Sequence, residues 1–174
     1  ACCAPCSSFV LQKLLNDDYL PVLYFYNPNI HPENEYIKRR DELIKFSHNI
    51  KIELIIEEPD VDTWFEAVKG LENEPEKGRR CSICFRLRLE KTAKKALELG
   101  IDKFSTVLTI SPHKKSDVIN AIGEKIASDV GINFLKEDFK KNDGFKKSVE
   151  LSKKYNFYRQ TYCGCQFSNK INRT

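Results

Sequence analysis

Apolar and polar positions change period repeatedly along this chain. The stretch SSFVLQKLLND, from residue 7, opens on serines and then sets Phe9, Val10, Leu14 and Leu15 at helical spacing. PVLYFY (residues 21–26) is a continuous apolar run of strand length, stopped by NPNIHP. Pro32 suits the first turn of a helix carrying ENEYIKRRDELIKF, because a helix N-terminus needs no amide donor there. KIELII (residues 51–56) predicts a second strand, VDTWFEAVKG a short helix ended by Gly70, and the polar LENEPEKGRR a loop. The strongest helix is expected over residues 81–99, with Gly100 as its left-handed terminator. DKFSTVLT then predicts a strand, ISPHKK a loop, and residues 116–130 a helix closed by Gly131. INFLKEDF gives a last short strand and GFKKSVELSKKY a last helix.

Strands alternating with helices predict an α/β fold, with a Rossmann-like parallel sheet flanked by helices. In such sheets the site lies beyond the C-terminal ends of the strands. NPNIHP and TISPHK each follow a predicted strand, so both are expected on that rim, with a metal site beside them. The chain opens without Met, directly on a cysteine cluster, so a further strand is expected before residue 1. That strand would bring the opening segment to the same rim. The length of 174 residues matches a single catalytic domain over residues 1–174.

Composition changes this picture little. The formal net charge of +4 is mild, so the overall field does not identify a nucleic-acid partner. Lysine pairs such as Lys146 and Lys147 read as solvated helix faces. Arg79, Arg80, Arg86 and Arg88 differ, because they crowd Cys81 and Cys84, where cations could meet phosphate. With no long apolar run and no secretory signal, no membrane association and a cytoplasmic location are expected. The absence of G-x-G-x-x-G and Walker A patterns removes support for a nucleotide cofactor.

The cysteines carry the chemistry. All seven fall in close groups: Cys2, Cys3 and Cys6; Cys81 and Cys84; Cys163 and Cys165. Inert buried cysteines would be expected singly on apolar faces, whereas these are flanked by Pro, Gly, Ser and Arg. C-x-x-C at a helix start favours thiolate, and the glycine of C-G-C lets two thiolates turn to one side. CAPC resembles a thioredoxin-type dithiol but uses two thiols; a structural zinc uses four and leaves the opening trio idle. An iron–sulfur cluster takes up to four thiolates, and the remaining three could hold a second metal or act on substrate.

Other candidates surround these thiols. His31 and His113, in the two rim loops, are candidates for proton transfer or substrate contact. Asn27 and Asn29, directly after a strand, are candidate polar contacts to substrate. YNFYRQTYCGC sets Tyr155, Tyr158 and Tyr162 with Arg159 and Gln160 beside two thiols, where aromatic rings could stack on a base, Arg159 could grip phosphate and Gln160 is a candidate substrate contact.

CCAPCS, YNPNIHP, CSICFRLRLEKTA, TISPHKK, DFKK and YRQTYCGCQFS, taken in this order, resemble the QueH type of epoxyqueuosine reductase over nearly the whole chain. The resemblance implies reduction of the epoxide of epoxyqueuosine, at the wobble position of tRNA, to the cyclopentene of queuosine, without cobalamin. It implies a [4Fe-4S] cluster and a second metal ion, taken as iron, supplied by Cys2, Cys3, Cys6, Cys81, Cys84, Cys163 and Cys165. It does not say which cysteine holds which centre. The implied partners are the tRNA anticodon loop and an external electron donor, with Tyr162, His31, His113 or a water delivering protons. Two alternatives stand beside it: a thiol–disulfide oxidoreductase centred on Cys3 and Cys6, and an RNA-binding module with structural zinc.

Overall fold

The structure, a computed structural model, describes residues 1–168. Helix α1 (Ala4–Asn16) starts earlier than the serines suggested, because Pro5 occupies its first turn with a preset φ. Strand β1 (Leu23–Phe25) is buried throughout and runs into helix α2 (Glu33–Asn49) through a loop whose His31–Pro32 peptide is cis. Strand β2 (Leu54–Ile56) pairs parallel with β1, Leu23 opposite Leu54. Helix α3 (Val61–Val68) is capped by Asp60, whose carboxylate accepts from the Thr63 amide at 3.0 Å. Helix α4 (Arg79–Glu98) begins two residues before Cys81.

Strand β3 (Lys103–Phe104) is far shorter than DKFSTVLT predicts. The Thr106 hydroxyl accepts from the Leu108 amide at 3.2 Å and turns the chain into a 3₁₀ turn over Val107–Ile110. Helix α5 (Ser116–Val130) ends on left-handed Gly131, and strand β4 (Asn133–Phe134) pairs parallel with β3. Helix α6 (Gly144–Lys154) then carries the chain back along α1, where the Ser148 hydroxyl donates to the Pro5 carbonyl at 2.8 Å.

The fold is therefore mixed α/β with parallel strands. Among the described residues its ladders form two two-stranded sheets, β1–β2 and β3–β4, rather than one continuous sheet. Leu23 and Tyr24 of β1 and Phe104 of β3 line one apolar cavity of about 380 Å³.

Three apolar clusters hold the layers. The largest joins Val10, Leu89, Ala93, Phe104, Ile119 and Phe139, and takes in Cys2 and Cys3 at its edge. A second joins Leu11, Leu23, Phe25, Tyr36, Leu43 and Phe46 between α1, β1 and α2. The third sets Trp64 and Val68 of α3 against Cys84 and Cys165. The cysteines thus sit where buried surfaces meet. Among the described residues no helix is long and apolar enough to cross a membrane.

The return of α6 depends on one close approach. A methyl group on Gly144 would overlap the Phe139 carbonyl oxygen and come within 2.8 Å of the Phe9 ring. Backbone cannot move aside as a flexible side chain can. Gly144→Ala is expected to destabilise the fold by about 1–3 kcal/mol, read as a lower urea midpoint at unchanged slope.

Candidate metal centre

Cys3 is the N-cap of α1, and Cys6 follows it at i+3, a spacing that puts both on one face of the helix start. Extended backbone at Cys3 (φ −174°) turns Cys2 to the same place. Cys2 and Cys3 Sγ lie 3.7 Å apart, and the three sulfurs all lie within 4.8 Å of one another. Among the described residues this is the one group of three His, Cys, Asp or Glu side chains that meets so closely. The Ser7 hydroxyl donates to the Cys3 carbonyl at 2.8 Å, and Asn27 Nδ2 donates to the Ala1 carbonyl at 2.9 Å, fixing the segment from both sides. Arg88 completes this brace by donating to Asn27 Oδ1 at 2.6 Å.

Crowding divides the three thiols. Hydrogen bonds from Cys3 and Cys6 hold the Cys2 thiol well below its ordinary pKa, against burial. The same contacts, with burial added, push Cys3 well above it, and the bond to Cys2 pushes Cys6 up to about 12. Three sulfurs this close together could serve as a metal ligand trio, since a bound cation displaces thiol protons. Three soft sulfurs with no carboxylate among them suit iron–sulfur or zinc over magnesium or calcium.

The other four thiols gather from α4 and the C-terminal segment. Burial raises Cys81 and Cys84, while the Lys77 amide donates to Cys81 Sγ at 3.3 Å. A hydrogen bond from Cys165 brings Cys163 down to about 5, and the same bond raises Cys165. Cys163 acts electrostatically on both Cys81 and Cys84, so the two pairs form one neighbourhood. All seven cysteines are free thiols.

The C-G-C turn is held by α2. Gly164 has φ +101°, and a Cβ there would sit 2.8 Å from Ile30 Cγ1, so both conformation and space demand glycine. The His31 amide donates to the Gly164 carbonyl at 2.8 Å. Buried Arg39 donates through Nη1 to the Cys163 carbonyl (3.2 Å) and through Nη2 to the Tyr162 carbonyl (3.1 Å), while its Nε binds Glu35 at 2.7 Å. Tyr158 gives its hydroxyl to Glu35 and its amide to Glu42, at 2.9 and 2.6 Å.

The remaining sequence candidates fall in different settings. The Tyr162 hydroxyl donates to the His31 carbonyl. The His31 ring packs 5.5 Å from Trp64 and 5.1 Å from Phe65, with no partner for Nε2. Burial pushes this imidazole below its ordinary pKa, against a hydrogen bond to the Pro28 carbonyl. His113 is exposed in the loop after the 3₁₀ turn. Asn27 is fully buried in the brace described above, and Asn29 is buried with Oδ1 unpartnered. Arg79, Arg86 and Arg159 are exposed, whereas Arg80 is buried and donates to the Leu71, Glu72 and Glu74 carbonyls. Gln160 reaches the trio, with Nε2 3.0 Å from Cys3 Sγ.

Arg39 and Lys114 were not singled out by sequence, and Arg88 was marked there only as one of the basic residues near Cys84. Arg39 and Arg88 hold the cysteine segments, and Lys114 lowers the thiols of Cys2, Cys6 and Cys163 through its charge. The E-x-x-x-R spacing of Glu35 and Arg39 was available as a helix-face pair, but nothing local tells that it is buried.

An α/β scaffold that gathers free thiols from its N-terminus, α4 and its C-terminal segment has the donor set of a thiolate metal protein. The chain belongs to the QueH family. The family described as "Epoxyqueuosine reductase QueH" matches residues 1–171. Proteins named epoxyqueuosine reductase QueH are similar over most of their length. That of Streptococcus pyogenes serotype M1 is 44% identical over 176 residues, covering 98% of this chain and 69% of its own. That of Acinetobacter baylyi is 44% identical over 169 residues, with 97% and 78% covered. The Thermotoga maritima protein is 35% identical over 170 residues, with 96% and 86% covered.

Arg39→Met leaves Glu35 buried without its cation and frees two carbonyls of the C-G-C segment. It is expected to cost about 3–5 kcal/mol, seen by denaturant unfolding of the variant beside the parent protein.

Proposed function

We propose that this chain is an epoxyqueuosine reductase, a single catalytic domain acting on epoxyqueuosine at the wobble position of tRNA. The reaction takes two electrons and two protons, breaks both C–O bonds of the epoxide, leaves the alkene of queuosine and releases water. The observation that carries this reading is the family match over residues 1–171, joined to seven free thiols gathered in two sets. Tyr24 and Phe25 of β1 precede the loop that carries Asn29 and His31, which supports the finer reading of a Rossmann-like layer with its site at the C-terminal rim of the strands.

The cofactors we infer are a [4Fe-4S] cluster and a second metal, iron, which the trio of Cys2, Cys3 and Cys6 and the set of Cys81, Cys84, Cys163 and Cys165 would hold between them. Thiolate-held iron supplies electrons one at a time from an external donor. The protein's own part is to bind, orient and keep water out. Cys2, Cys3, Cys84 and Cys165 are buried, so solvent does not reach those sulfurs freely. The exposed Arg79, Arg86 and Arg159 are suited to tRNA phosphates, while Asn29 Oδ1 is an acceptor below that surface with no donor among the described residues. Buried Arg80 and Asn27 serve the same surface from behind, by fixing the loop before α4 and the cysteine segment. Of the proton carriers His31, His113 and Tyr162, His31 alone presents a buried ring nitrogen without a partner. A tRNA substrate and an external reductant place this work in the cytoplasm.

Reduced protein incubated anaerobically with tRNA bearing epoxyqueuosine is expected to yield queuosine, read by mass spectrometry of the digested nucleosides. Iron and acid-labile sulfide should accompany the purified protein, and Cys3→Ala should lose both metal and turnover. One zinc without sulfide would support the structural-zinc alternative. Full iron and sulfide with unchanged tRNA would sink the assigned reaction.

A further inference from the structure

Gln160 stands apart from the arginines and asparagines around the site, because its polar end is turned to sulfur. Its Nε2 lies 3.0 Å from Cys3 Sγ and 3.8 Å from Cys6 Sγ, across 157 and 154 residues of sequence. Its Oε1 is buried and has no donor among the described residues, so the sulfurs alone orient the amide. The backbone on either side is pinned. Two residues before it, Tyr158 is tied to Glu42 and Glu35; two residues after it, Tyr162 is tied to the His31 carbonyl and to Arg39. Residue 160 is therefore delivered to the trio by a segment with little room to slide.

We propose that Gln160 is a positioning residue that sets the reduction potential of the metal held by Cys3 and Cys6. The proposal rests on the reading that the trio holds metal. An amide N–H aimed at a ligand sulfur stabilises the electron-rich, reduced state more than the oxidised one, and so raises the potential. Glutamine suits this role where neither a carboxylate nor an apolar chain does. A carboxylate would bring a second negative charge to the sulfurs, and leucine would fill the space with no donor.

The test uses anaerobically purified, metal-loaded parent protein, Gln160→Leu and Gln160→Glu. Iron and acid-labile sulfide are counted, and a redox titration followed by EPR is run without tRNA. Both variants are expected to keep the parent metal content and to reduce at more negative potential, Gln160→Glu further than Gln160→Leu. Turnover should fall about 10-fold with KM for tRNA unchanged. Parent-like potentials in both variants overturn the proposal. A raised KM with an unmoved potential also overturns it, and assigns Gln160 to the substrate instead. Parent protein without iron and sulfide removes the underlying reading along with the proposal, and the metal count separates that case from the others.

Discussion

The guanidinium of Arg39 is the point on which the site is hung. It lies on α2, one turn after Glu35, with its side chain 1% exposed and that of Glu35 10% exposed. Burying such a pair is costly unless every polar edge finds a partner. Here Nε serves Glu35, the two terminal nitrogens serve the Tyr162 and Cys163 carbonyls, and the second carboxylate oxygen accepts from Tyr158. A helix in the first third of the sequence thereby fixes the distant C-G-C turn. That grip acts together with the His31 amide on the Gly164 carbonyl and the Tyr162 hydroxyl on the His31 carbonyl to fix the two thiols beside Ile30 and His31.

The same logic repeats at the other end of the chain. Arg88 on α4 holds Asn27, and Asn27 holds the carbonyl before Cys2. Two buried arginines, on different helices, thus position two sulfur-bearing segments by binding main chain or amide rather than the sulfurs themselves. Between the segments, the charge of Lys114 favours thiolate at Cys2, Cys6 and Cys163. Arg88 adds its own charge at Cys2 and Cys84, so backbone positioning and charge compensation meet in one residue.

How much of this can be read from sequence depends on the range of the cause. The helices are legible because their apolar spacing is a local signal, and α2, α4 and α5 follow it closely. Strand length is less so, since the Thr106 hydroxyl ends an apolar run that by pattern alone would continue as strand. The single sheet inferred from alternation divides into β1–β2 and β3–β4, a tertiary fact no period encodes. The Cys3–Cys6 face is legible from i, i+3 spacing. Arg80 is the reverse case: composition marks it as a cation beside thiols, and only burial shows it spent on three carbonyls. Arg39 and Lys114 act across more than a hundred or several tens of residues, beyond any local pattern.

The 157-residue separation across which Gln160 meets Cys3 has a kinetic meaning. Closing a loop of that size costs about 4 kcal/mol of chain entropy beyond a constant, and no local contact offsets it. The thiols of Cys2, Cys3 and Cys6 leave the ribosome well before the C-G-C turn. During synthesis the early sulfurs therefore wait, close to one another and without their distant partners, which makes them the part of the chain most open to oxidation or to the wrong metal. The meeting of Gln160 with Cys3 therefore waits on the later segment, and its timing follows the order of the chain.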